Sequence, residues 1–222
     1  MISVGARREL TAAVVRSMYR LRHETFVRRL RWSLPLLNGI ETDQYDNEDA
    51  IYFIVHDAHE DVTACARLLP TTGPYMLAQL FAELLGGNPP PRDPGTWELS
   101  RFATSVRKTR EGRVLSLSPP TLNLLDAIFQ FARDNAVRRL LLVTSIAIER
   151  LLLRERLDAH RLGPPARMPD GMIVALAIEV PTIDHAARRA DREPTQPLAP
   201  SARERSRRIE VMYARAQFGI LP

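Results

Sequence analysis

Residues Met172–Val180 make a run in which Glu179 is the sole charge and apolar residues do not alternate with polar ones. A strand of that composition has to be covered on both faces, so the chain must place layers above and below a sheet. Leu140–Val143 has the same character. Around these two runs the period switches repeatedly. Ile51–His56 and Val62–Leu69 are β-rich and parted by the polar segment Asp57–Asp61, the pattern of a hairpin, and Thr96–Thr104 reads as a further strand. Helical spacing fills the intervals. Glu9 to about Arg29 carries Leu10, Val14, Val15, Met18, Leu21 and Phe26 on one stripe. Pro74 opens and Gly86-Gly87 closes a helix over Tyr75–Leu85, and Ser118-Pro119-Pro120 reads as an N-cap with proline in the first turn before Leu122–Asn135. Ile146–Arg156 completes the set. The order predicts an α/β fold, an α-β-α sandwich with a mixed central sheet flanked by helices.

Arg31–Asp49 has no sustained period and reads as a long loop, rich in acids at Glu41, Asp43, Asp46, Glu48 and Asp49. The predicted domain covers residues 1–182. Residues 183–222 read as an arginine- and proline-rich extension with one amphipathic segment, about 201–218. The extension carries 8 Arg against 5 acidic residues, so most of the formal charge of +5 sits there and the body is nearly neutral. A single cysteine, Cys65, excludes an internal disulfide framework and a thiolate zinc cluster, and its apolar run makes it a buried structural thiol. No leader pattern opens the chain and no apolar run reaches membrane-spanning length, so a cytoplasmic location without a membrane span is expected.

The chemistry concentrates in Trp97-Glu98-Leu99-Ser100-Arg101-Phe102, where a carboxylate and a guanidinium stand three apart in an apolar strand. Alternation points them to opposite faces unless a bulge re-aims one. A charge half-buried there needs a partner. Upstream, Arg22 and Phe26 lie one helical turn apart with Trp32 beyond the helix end, Asp43 and Asp46 are separated by two residues, and Arg67 precedes Leu68-Leu69-Pro70. Each taken singly has an ordinary explanation: a core aromatic, a solvated loop acid, a surface arginine.

The order and spacing of the set resemble the acyl-homoserine-lactone synthases, the bacterial autoinducer synthases of quorum sensing. Their Arg, Phe and Trp stand as Arg22, Phe26 and Trp32, their acidic pair as Asp43 and Asp46, their next Arg as Arg67, and their Glu-x-x-Arg as Glu98 and Arg101; the resemblance runs from about Arg22 to Val180. It implies a fold similar to the GNAT N-acyltransferases. It also implies a reaction that joins S-adenosylmethionine, as substrate and not as a resident cofactor, to an acyl chain delivered on acyl carrier protein. Amine attack on the thioester is followed by lactone closure, releasing methylthioadenosine.

Under that resemblance Asp43 and Asp46 attract the ammonium or sulfonium, Arg22 or Arg67 holds the carboxylate, and Phe26 and Trp32 cover the ligand. Glu98 serves as base, directly or through a water, and Arg101 steadies the thioester oxyanion or orients carboxylates. An acyl tunnel is expected among Met76, Leu80, Leu99 or Phe102, Leu122, Leu125, Phe129, Leu142, Thr144, Ile146 and Leu152. In this family a threonine on the Leu140–Ser145 strand goes with 3-oxo substrates; the better-registered position here is Leu142, which implies an unsubstituted chain. Arg138, Arg139, Arg150 and Arg154, with Lys108, Arg110 and Arg113, are candidates for steering an acidic carrier protein. Two rivals remain. An acyl-coenzyme A N-acyltransferase would want a glycine-containing pyrophosphate turn, and no G-x-G is present. A nucleic-acid-binding regulator acting through the basic tail would want a helix-turn-helix, zinc ligands or stacking aromatics, and none is seen.

Overall fold

A computed structural model describes residues 1–29, 34, 36–37, 39–105, 118–168 and 171–182. Among them the α-β-α sandwich is present. The helices begin where short polar side chains can take up free amide groups. Thr11 caps α1 (Ala12–Arg22), Ser118 caps α3 (Pro119–Asp134) and Ser145 caps α4 (Ile146–Arg154), each hydroxyl accepting from the amide three residues on. The prolines expected in the first turn of α3 are there, directly after the Ser118 cap. The segment predicted as one helix over Tyr75–Leu85 is two: α2 (Met76–Leu80), then a 3-10 turn Ala82–Leu85 after Phe81 leaves helical geometry. Gly86, at φ +61°, ends it as a left-handed cap.

The central sheet runs in the order β1 (Ile2–Ala6), β4 (Ile51–His56), β5 (Val62–Pro70), β6 (Thr96–Thr104), β7 (Arg139–Ser145), β10 (Gly171–Glu179) and β8 (Ala159–Arg161), with β9 (Ala166–Met168) also on β10. A separate small hairpin joins β2 (Leu36–Leu37) to β3 (Ile40–Glu41) inside the stretch expected to be a loop, with Gly39 at φ +76° in its turn. Edge strands β1, β8 and β9 are too short or too mixed in composition to have shown a period.

All described pairings are antiparallel except β6 with β7. That parallel pairing covers only Thr96–Glu98 against Arg139–Leu141. Beyond Glu98, β6 continues on β5 while β7 continues on β10, so the sheet opens between them. One face buries Met18, Phe26, Tyr45, Tyr52, Cys65, Met76 and Val143 under α1 and α2. The other buries Phe53, Leu68, Leu99, Phe102, Leu142 and Val174 under α3 and α4.

Candidate active site

Strict alternation would send Glu98 and Arg101 to opposite sides of the sheet. A bulge prevents this: the β5–β6 register shifts between Cys65 and Arg67, and Arg101 takes φ +51°. A left-handed conformation in a residue with a side chain costs roughly 1–2 kcal/mol. The extra residue turns Arg101 to the α1/α2 side, which Glu98 and Ser100 share, and leaves Leu99 and Phe102 on the α3/α4 side.

Three buried arginines meet there with three carboxylates. Arg22 stands at the end of α1, where the chain passes into a π-helical turn, His23–Arg29, that also buries Phe26. Its Nε donates to Glu41 Oε2 at 2.5 Å, and its two terminal nitrogens donate to the Asp46 oxygens at 2.7 and 2.9 Å. Arg67 on β5 donates to Asp43 at 2.6 and 3.2 Å, to Asp46 Oδ1 at 2.9 Å and to Ser100 Oγ at 3.2 Å. Arg101 donates through Nε to Glu41 Oε1 at 3.0 Å and pairs with Asp43 Oδ2 at 2.5 Å, its guanidinium lying 5.7 Å from the centre of the Phe26 ring. The network staples the 41–46 turn to α1, β5 and β6.

Asp46 also accepts from the Tyr52 hydroxyl at 2.8 Å and from the Asp43 amide at 2.9 Å. Five donors saturate a carboxylate, so Asp46 holds the protein together and has no lone pair to spare for a ligand. Asp43, with 12% of its side chain accessible, is the acid at the open edge. Burial works to raise both carboxyls. Arg67 and Arg101 around Asp43, and Arg22 and Arg67 around Asp46, outweigh it and hold both below the usual carboxylate range.

Glu98 is different. Among the described residues no arginine is paired with it; its oxygens accept the backbone amides of Met76 at 2.9 Å and Leu77 at 2.6 Å, so it caps α2 from across the sheet. Burial pushes its carboxyl up to about 7, against the pull of those two amides. A carboxyl poised there exchanges protons near neutrality, as a general base must. Met76 Sδ lies 3.4 Å from an Arg67 nitrogen and 3.9 Å from Arg101, so this methionine borders the charged cluster. Burial also pushes Cys65 up to about 12, which makes its thiol inert.

The other expected site residues divide. Leu99, Phe102, Leu125, Phe129, Leu142 and Leu152 are buried together on the α3/α4 side, with Ile146 packed against them. Thr144 faces the same way, paired with Val174, and its buried hydroxyl has no partner among the described residues. Leu122 is half-buried, and Leu80 is 45% exposed on the far side of α2, away from that group. Arg138 pairs with Asp93 and Arg139 with Glu179, while Arg150 and Arg154 are exposed one turn apart on α4. Trp32, Lys108, Arg110 and Arg113 lie outside the described residues. Glu41 is the site residue that the sequence pattern does not single out. The signal was available in a count: three arginines in apolar surroundings call for three acids, and Asp43 and Asp46 supply only two.

A family model described as Autoinducer synthase matches residues 7–189. An acyl-homoserine-lactone synthase from Aliivibrio fischeri is 44% identical over 148 residues, 67% of this chain and 76% of its own length. The crystal structure of the AHL synthase LasI superposes with a TM-score of 0.75 at 31% identity, over 89% of this chain and 98% of that one. The CoA-dependent acyl-homoserine lactone synthase BjaI, determined with SAM and isopentyl-CoA, gives 0.74 at 25% identity, over 94% and 98%. An acyl-CoA N-acyltransferase from Pseudomonas aeruginosa, 15% identical with a TM-score of 0.56 over 80% and 98%, shares the fold alone. Family model, relatives and architecture agree, and the chain belongs to the autoinducer synthases, acyltransferases that make acyl-homoserine lactones.

Proposed function

We propose that this enzyme acylates the amine of S-adenosylmethionine from an acyl carrier protein thioester and then closes the lactone with loss of methylthioadenosine. The observation that carries the reading is the position of Glu98. It stands at the last paired residue before β6 and β7 part, beside the charged cluster on one face and next in sequence to Leu99, which belongs to the apolar cluster on the other. A polar amino-acid head held under α1 and α2 and an acyl chain held under α3 and α4 would meet at that opening.

Glu98 takes a proton from the substrate ammonium, and the freed amine attacks the thioester carbon. Arg101, fixed by Glu41 and Asp43, is the cation nearest in sequence to the base and steadies the oxyanion that develops. The carrier thiolate leaves and takes up the second proton that the acylated nitrogen sheds, departing as the thiol. The methionine carboxylate then attacks the carbon next to sulfur, and the sulfonium departs as neutral methylthioadenosine. Asp43 at the open edge attracts the cationic substrate, Arg22 and Arg67 hold the acids in place, and Phe26 covers the ligand. Leu99, Phe102, Leu125, Leu142 and Leu152 form the acyl wall.

Exposed Arg150 and Arg154 support an acidic carrier protein as donor. The specific observation favouring acyl-coenzyme A is the likeness to the CoA-dependent BjaI. Residues 1–182 form the catalytic unit of a cytoplasmic enzyme; no helix among the described residues is long and apolar enough to cross a membrane. Purified enzyme given S-adenosylmethionine with acyl carrier protein thioester or acyl-coenzyme A, followed by mass spectrometry of the organic extract, tests both readings. Lactone from the carrier thioester is expected; turnover confined to the coenzyme A thioester would move the donor to the second reading, and no lactone from either would end both.

A further inference from the structure

Tyr45 occupies the middle of the stapled turn, yet the ion-pair network makes no use of its hydroxyl. The residue is fixed through its backbone and its ring. Its amide donates to Asp43 Oδ1 at 2.9 Å, the Arg67 guanidinium lies 5.7 Å from its centre, and the side chain is packed into the α1/α2 core at 2% exposure. The hydroxyl nevertheless has no hydrogen-bond partner among the described residues. A buried polar group without a partner is expensive, and one held rigidly inside a charged site is explained most simply by a partner that arrives with the ligand.

The surroundings say what kind of partner. Burial, then Glu98 and Asp43, raise the Tyr45 phenol, so both acids act on this hydroxyl; the exposed Gln44 side chain partly offsets them without reaching hydrogen-bond geometry. A position in the field of two carboxylates suits a cationic group that brings its own N–H donors. The other buried orphan hydroxyls are placed differently. Tyr19 lies on α1 against Arg22, and Thr144 lies across the sheet.

We propose that the Tyr45 hydroxyl is a substrate-binding contact, accepting a hydrogen bond from the α-ammonium of the sulfonium substrate beside Asp43 and Glu98. It rests on the substrate reading above. The ammonium gives one proton to Glu98, and the hydroxyl keeps hold of a remaining N–H, which aims the nitrogen lone pair at the thioester. The phenol itself neither gains nor loses a proton.

Tyr45→Phe removes the hydroxyl and keeps the ring. Calorimetry of the full-length wild type and variant with S-adenosylmethionine, and with methylthioadenosine, which lacks the amino-acid head, separates the possibilities. Expected are a melting temperature unchanged or higher, affinity for S-adenosylmethionine and kcat/KM both reduced by about tenfold or more, and affinity for methylthioadenosine unchanged. Equal losses for the two ligands would mean that the hydroxyl shapes the pocket, and would overturn the assignment. So would a variant with wild-type affinity and turnover. A wild type that binds neither ligand and makes no lactone would bring down the substrate reading, and this contact with it.

Discussion

Glu98 sits where a charge is least welcome, and the chain lets it shed that charge. Its carboxyl rises from 4.5 to about 7, so the folded protein takes up a proton between those values. The stability Glu98 contributes is therefore fully present below about pH 4.5 and is lost as pH rises to about 7, by roughly 3 kcal/mol. Under the proposed mechanism activity should run the other way, because only the ionised form can take up a proton. We expect kcat/KM to climb through about pH 7 and level off above it, and Glu98→Gln to abolish turnover while remaining folded; a flat kcat/KM profile in the wild type, or near-normal turnover in the variant, would remove Glu98 from the mechanism. Glu41 makes the opposite case. It bridges Arg22 and Arg101 in full burial, so Glu41→Gln leaves two guanidinium groups short of a counter-charge. Breaking a buried pair from one side costs about 3–5 kcal/mol, and urea denaturation should register a loss of that size together with a drop in kcat.

At the level of elements, the short helix α2 depends on a residue it does not contain. A helix of five residues has little cooperativity of its own, and its first two amides are satisfied by the Glu98 carboxylate from β6. Glu98 and the helix are therefore coupled. In Glu98→Gln the amide group offers a single acceptor oxygen, so hydrogen exchange at Met76 and Leu77 should accelerate about tenfold or more while exchange in α3 is unchanged; equal protection in variant and wild type would refute the coupling. The bulge in β6 is the second such device. It spends backbone strain at Arg101 to put a cation on the face of Glu98, and the two carboxylates that receive Arg101 hold the strained conformation in place.

For the whole molecule, the two faces of the sheet have different work, polar chemistry under α1 and α2 and apolar packing under α3 and α4, and they communicate where β6 leaves β7. The described residues that build that arrangement all precede the extension. Deleting Thr195–Pro222 should therefore leave melting temperature and turnover within error of the full chain, and a folded but inactive truncation would assign the extension a catalytic part. The inner strands β4, β5, β6, β7 and β10, the cap of α3 and the motif residues were legible in the sequence because each depends on neighbours a few positions away: Ser118 before Pro119, the uninterrupted apolar run of β10, the spacing from Glu98 to Arg101. The tertiary structure alone decided that Asp46 is saturated by Arg22, Arg67, Tyr52 and the Asp43 amide, that Glu41 joins residues 19 and 60 positions distant, that the bulge turns Arg101 to the face of Glu98, and that Leu80 stands outside the apolar group. Local periodicity records which side of an element is buried. Which charges meet there is fixed by how the layers converge, and that information is carried by no single stretch of the chain.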